Sequence, residues 1–270
     1  MLGKDVRMTS TPGPAPGGGS DESVLRLDGV GLSINSVRIV QDVSLAVAAG
    51  EFVAIIGPNG AGKTSLFNLI SGTTRLTAGR IELFGRDVSR ASVHARARRG
   101  LGRTFQASYL LPGLTVLENV RMQSQAVDVK GVGLLRRVSQ LDPTLTDARE
   151  ALDRVGLGHR QGARAEDLSH GDRRKLEIAI VLASRAGLIL FDEPMAGVNA
   201  DDVDELVALI RSVNREDGKS VLMVEHHMEV VLGLADRVAV MHHGALLAID
   251  EPDAVMTNAT VQQAYVGDAL

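Results

Sequence analysis

The residues Gly57-Pro58-Asn59-Gly60-Ala61-Gly62-Lys63-Thr64, with Ser65 behind them, have the composition of a loop that cradles phosphates. They follow the apolar run Phe52-Val53-Ala54-Ile55-Ile56 and lead into Ser65-Leu66-Phe67-Asn68-Leu69-Ile70, so a buried strand feeds a loop that opens a helix. The glycines let successive N–H groups turn inward, and the helix N-terminus adds its positive end, which makes an anion nest before any cationic side chain is counted. Lys63 supplies a mobile charge for β- and γ-phosphates, and the Thr64 hydroxyl is placed for Mg2+. A nucleoside triphosphate is the ligand this chemistry selects. A second chemical stretch, Leu188-Ile189-Leu190-Phe191-Asp192-Glu193, is an apolar strand that ends in two acids. Such a strand belongs in a parallel sheet, whose carboxyl edge is where ligands bind. There Asp192 would hold Mg2+ through its water shell, and Glu193 would take a proton from the attacking water or orient it.

The elements that must position these groups can be read around them. Residues 1–23 are expected to be a disordered tail, since Thr11-Pro12-Gly13-Pro14-Ala15-Pro16-Gly17-Gly18-Gly19-Ser20 cannot bury enough apolar surface to offset ordering. Both Met1 and Met8 can serve as the start. Alternation in Val24–Leu27, Val37–Val40 and Val43–Val47 predicts short antiparallel strands, and residues 79–85 one more, which together make a β lobe. Residues 89–99, with Arg90, Arg96, Arg98 and Arg99, read as a helix with a solvated charged face. Gly102-Arg103-Thr104-Phe105-Gln106 is a short segment ending in an amide, and Thr115 with Glu118 forms a capping box. Residues 124–145 look irregular, and a helix starts at Thr146 and ends near Gly156. Ser169 caps another helix, with Arg173, Arg174 and Lys175 in its first turn.

Composition narrows the partners. A net charge of -4 argues against a general nucleic-acid binder, and 270 residues without cysteine exclude disulfides and thiolate metal sites. No apolar run approaches the ~20 residues needed to span a bilayer, so a membrane role would run through a partner.

In this order the chain resembles the ATP-binding cassette ATPases. The phosphate loop, Gln106, Leu168-Ser169-His170-Gly171-Asp172, Asp192-Glu193 and His226 match that family's motifs one by one, over about residues 24–267. The resemblance implies an α/β fold: a RecA-like P-loop core, the antiparallel β lobe, and a helical subdomain at about residues 107–185. It implies that Gln106 contacts Mg2+ and senses the γ-phosphate, and that His226 positions water on that phosphate. Ser169 and Gly171 would close over the nucleotide of a second cassette, a copy or a homologue, in a head-to-tail dimer. His227, His242 and His243 gain no such support and read as surface residues.

Several residues depart from the broad pattern. His170 and Asp172 replace the usual glycine and glutamine, and Asn199 stands where many members have aspartate. Many cassettes stack adenine on an aromatic ring in the region that here reads Leu32-Ser33-Ile34-Asn35-Ser36-Val37, which leaves Ile34 as the equivalent. The variant signature, Pro194-Met195-Ala196-Gly197-Val198, residues 102–106, residues 224–228 and Ala264-Tyr265-Val266-Gly267 are similar to the subgroup importing branched-chain amino acids and related amides. The long stretch from Gln106 to Leu168 favours the larger of its two cassettes. The implied partners are membrane permease subunits, a second ATPase subunit and, indirectly, a solute-binding protein, with the chain on the cytoplasmic face of the membrane. A lipid or other exporter cassette, or an ATP-driven clamp on DNA or ribosomes, remains the alternative.

Overall fold

The computed structural model describes residues 23–104, 110–127 and 143–267. The expected tail therefore lies outside the described residues except for Ser23, which opens β1 (Ser23–Ile34). β1 pairs antiparallel with β2 (Val37–Ala48) across Asn35-Ser36, both at positive φ, the twist a two-residue hairpin turn requires. The alternation had suggested several short strands here. Two long ones form instead, because register shifts between Leu27 and Val30 and between Val30 and Leu32 absorb the breaks in the pattern.

β3 (Phe52–Ile56) is buried throughout, and α1 (Lys63–Ser71) follows the phosphate loop. β4 (Ala78–Leu83) and β5 (Arg86–Asp87) complete a four-stranded sheet in the order β2-β1-β4-β5. After the short α2 (Val93–Ala97) come β6 (Leu101–Arg103), α3 (Val116–Val127), α4 (Pro143–Arg154) and α5 (His170–Ala183). The second half runs β7 (Leu188–Asp192), α6 (Ala200–Arg215), β8 (Ser220–Val224), α7 (Met228–Leu234), β9 (Arg237–His242) and β10 (Ala245–Asp250). Two helices, α8 (Pro252–Thr257) and α9 (Ala259–Gly267), end the described chain.

The second sheet has the order β10-β9-β3-β8-β7-β6, parallel except for the β10 edge. Its central strands are apolar at every position but the last or first, as strands covered on both faces must be. Strand alternation splits them between two cores: Phe52, Ala54, Ile56, Ile189 and Phe191 face the α3–α7 side, while Val53, Ile55, Leu188 and Leu190 face α1 and the first sheet. Because β3, β8 and β7 are adjacent and parallel, the phosphate loop, Glu225-His226 and Asp192-Glu193 emerge along one edge.

The capping box at α3 forms as read: Thr115 Oγ1 accepts from the Glu118 N–H at 3.2 Å, and the Glu118 carboxylate accepts from the Thr115 N–H at 2.8 Å. The stretch read as irregular is partly helical. α3 continues to Val127, and α4 starts at Pro143, where the missing N–H costs nothing; residues 128–142 lie outside the described set.

Residues 89–99 correct the sequence reading more sharply. The helix is only five residues long, and Arg96 is buried rather than solvated, while Arg90, Arg98 and Arg99 are exposed. Its guanidinium donates to the carbonyls of Leu69 (2.6 Å), Ile70 (2.7 Å), Ala91 (3.2 Å) and Ser89 (3.3 Å), so it caps the C-terminus of α1. Burial lowers its pKa, with Asp87 opposing. Arg96→Met, which keeps the apolar stem, should lower unfolding stability by about 2 kcal/mol, the scale of hydrogen bonds from a charged donor less the desolvation relieved. A urea midpoint matching that of the unmodified chain would show that desolvation cancels the cap.

Candidate functional site

The phosphate loop is set by what stands behind it. A side chain on Gly57 would run into the Met241 carbonyl of β9, and one on Gly62 would lie 2.8 Å from the Ile39 carbonyl of β2. Both also hold positive φ, at 150° and 95°. Gly62 caps α1 without a side-chain hydrogen bond, and no acid lies in the first turn, so the helix N-terminus stays available to an anion. Asn59, Gly60 and Thr64 are exposed, Pro58, Gly62 and Ser65 half-buried, and Ala61 buried. The Lys63 ammonium donates to the carbonyls of Gly57 (2.7 Å) and Pro58 (2.9 Å), folding back across the loop. Burial lowers its pKa, and the nearby charges of Glu193 and Asp192 resist that shift.

Asp192 ends β7 at 1% exposure. Its Oδ2 accepts from Arg103 Nη2 at 2.8 Å, and its Oδ1 has no hydrogen-bond partner among the described residues. Burial raises its pKa against the pull of Arg103. The exposed Thr64 hydroxyl and Asp192 Oδ1 are thus oxygens at this edge that a cation could take. Glu193 is held at φ 50°, an uncommon angle for a residue with a side chain, while its N–H donates to the Val224 carbonyl at 2.9 Å. Its Oε1 lies 3.0 Å from Nε2 of His226. The two groups proposed from sequence for water activation are therefore in direct contact. Gln106 lies outside the described residues.

Two positioning residues carried no role in the sequence reading. Arg103 holds Asp192, and β6–β7 register shows why: Arg103 pairs with Leu190, one strand period from Asp192 on the same face. Glu225, 1% exposed, accepts from the Met195 N–H (3.0 Å) with one oxygen. Its other oxygen accepts from the N–H groups of His226 (2.7 Å) and His227 (3.1 Å). It joins the loop after Glu193 to the loop carrying His226. A buried acid at a strand end was the only available signal.

The segment 168–172 meets that same loop from another side. Ser169 is exposed and caps α5, its Oγ accepting from the Asp172 N–H at 3.1 Å. Gly171 is buried, where a side chain would come within 2.9 Å of Asp202 Oδ2 in α6. His170 packs its ring over Gly197, and Arg174 donates to the Ala196 carbonyl at 3.2 Å. Ile34 is 51% exposed at the hairpin tip, paired with Val37, on the hairpin whose β2 strand backs the phosphate loop.

A strand, phosphate loop and helix, flanked on adjacent parallel strands by a buried aspartate and a Glu–His pair, define a P-loop nucleoside triphosphatase. The ABC transporter family model matches residues 40–196, and the chain belongs to the ABC transporter family. It is 34% identical to the high-affinity branched-chain amino acid transport ATP-binding protein LivG of Salmonella typhimurium, over 92% of this chain and 99% of that protein. It is 33% identical to a probable ABC transporter ATP-binding protein of Azorhizobium caulinodans, over 99% and 97% of the two chains. Among solved structures, the ADP conformation of MJ1267, an ATP-binding cassette of an ABC transporter, resembles it with a TM-score of 0.80 at 27% identity. That likeness covers 91% of this chain and 99% of the other. The chain is an ATP-binding cassette that hydrolyses ATP.

The exposed Ile34 leaves room for a ring without overpacking the first sheet. Base stacking on an aromatic is worth about 1–3 kcal/mol in single-stranded nucleic-acid complexes, and an aliphatic contact keeps part of that. Ile34→Tyr should tighten ATP binding several-fold with turnover little changed; weaker or equal binding in a normally melting variant would remove Ile34 from the base site.

Proposed function

We propose that this cassette powers a membrane importer for branched-chain amino acids or a related amide solute, docked on the cytoplasmic side of its permease. The observation that carries the reading is the match to LivG along 99% of that protein, with the Glu193–His226 pair intact. ATP would enter with its phosphates on residues 57–65, replacing the carbonyls that now hold Lys63. Mg2+ fits the residues present, since Asp192 Oδ1 is a buried carboxylate oxygen left without a partner among the described residues. Thr64, Asp192 and Gln106 would hold it, and when bound it neutralises phosphate charge. Glu193 takes the proton of the water attacking the γ-phosphorus, and His226, hydrogen-bonded to it beforehand, keeps the carboxylate aimed.

A second cassette, a copy or a homologue, would complete the site with Ser169 and the backbone from 169 to 171. ATP then closes the dimer and hydrolysis reopens it. A cavity of about 500 Å³ between β6, α3 and α5, lined by Leu101, Leu110, Leu111, Met122 and Val181, is suited to a cytoplasmic helix of the permease. It adjoins the strand that leads to Gln106. The solute-binding protein would act on the far side of that permease, without touching this chain.

Lys63→Ala should abolish transport and weaken ATP binding strongly; unchanged affinity and turnover would overturn the phosphate assignment. Glu193→Gln should keep ATP affinity yet leave a closed dimer with ATP and Mg2+, seen by sedimentation, because an amide cannot serve as a base. Uptake of labelled leucine, isoleucine and valine, and of short aliphatic amides, should stop in cells carrying only that variant. Uptake of all of them at the normal rate would exclude the proposed import.

A further inference from the structure

Arg103 lies on the short edge strand β6, 89 residues before its partner Asp192, and its side chain is 7% exposed. One of its nitrogens, Nη2, takes Oδ2 of Asp192. The other, Nη1, donates to Asn68 Oδ1 at 2.9 Å and to Ser71 Oγ at 2.7 Å, both on α1. The guanidinium carbon also lies 5.8 Å from the centre of the Phe67 ring, on the same helix. A planar group fixed at three acceptors and beside an aromatic ring has little freedom to turn. It cross-links α1, which begins with Lys63 and Thr64, to the end of β7, which carries Asp192.

Stability alone gives a weak reason for this arrangement. A buried ion pair of this kind is often no more stabilising than apolar residues of the same volume, because two charges must leave water. Burial works against the charged form of Asp192 even with Arg103 present. What the pair does accomplish is geometric. A free carboxylate could rotate and offer either oxygen, whereas Arg103 occupies Oδ2 and leaves Oδ1 as the oxygen without a partner among the described residues.

We propose that Arg103 is a positioning residue for the cation site: it locks the Asp192 carboxylate with Oδ1 free for hydrated Mg2+ and holds that oxygen in register with Thr64. The inference rests on the metal reading above. Arginine suits the place because its two terminal nitrogens face Asp192 on one side and Asn68 and Ser71 on the other, whereas lysine brings a single nitrogen with no fixed plane. Residues that orient a metal ligand from behind typically change metal affinity by 10–100-fold when replaced.

The test is Mn2+ affinity, by electron paramagnetic resonance titration of the full chain saturated with a non-hydrolysable ATP analogue. Nucleotide affinity is measured separately in EDTA. Arg103→Gln should weaken Mn2+ binding about tenfold while metal-free nucleotide affinity stays within about twofold, with Arg103→Lys between it and the unmodified chain. Ser71→Ala, which loosens the far side of the guanidinium, should shift Mn2+ binding the same way but less, and it decides the matter should the Arg103 variants not fold. Turnover of each folded variant should recover as Mg2+ is raised. Mn2+ affinity unchanged within twofold across the folded variants, with only the melting temperature lowered, would overturn the proposal and leave Arg103 a structural tie between α1 and β7. Asp192→Asn separates the two levels: if it weakens Mn2+ binding and the Arg103 and Ser71 variants do not, only this inference fails. If Asp192→Asn also leaves Mn2+ binding unaltered, the metal assignment itself is wrong.

Discussion

Charges buried at the ends of apolar strands are the constraint on which this structure turns. Asp192 and Glu225 each follow a run of fully buried strand positions and are themselves 1% exposed, and Lys63 is buried near Asp192. A charge taken out of water must be answered by partners near enough to replace hydration. The chain answers each differently: a guanidinium for Asp192, three backbone N–H groups and the His227 imidazole for Glu225, and two loop carbonyls for Lys63. Those partners fix the loops at the sheet edge.

The same compensation prepares the site for an anion. Lys63 is held by neutral carbonyls, which a phosphate can displace because its charge serves the ammonium better. Glu225 is held by backbone N–H groups and by the His227 imidazole, 2.9 Å from its Oε2, so its negative charge binds the Met195 and His226 loops together without drawing on the positive potential at the helix N-terminus. Glu193, by contrast, is only half-buried beside the His226 imidazole, and that access to water suits a group that must gain and lose a proton.

Helix α1 carries the load between the two sheets. Leu66, Phe67, Leu69 and Ile70 fill the core between the β1–β2–β4 sheet and one face of the parallel sheet, and Arg96 closes the C-terminus of the helix. Its N-terminus is left open at Gly62, which is the end that meets phosphate. One end of the helix is thus sealed by a buried cation, and the other is free for an anion.

The amino-acid sequence by itself determined what is contiguous. The phosphate loop spans residues 57–64, the acid pair 192–193 ends an apolar run, and the Thr115–Glu118 cap closes within one turn, so each is visible in a short window. Continuous apolar runs told of strands covered on both faces, and motif order told of the family. Only tertiary structure decided where the supporting charges go. Arg96 looked like one more cation on an exposed face, yet it lies against carbonyls 26 and 27 residues away. Arg103 reaches Asp192 across 89 residues, and Glu225 reaches Met195 across 30. The two long strands of the hairpin hid behind breaks in alternation that bulges absorb. Local spacing specifies which face a residue occupies within its own element. Whether that face meets solvent or a buried carboxylate depends on which strands become neighbours, and that is settled only when the sheet forms.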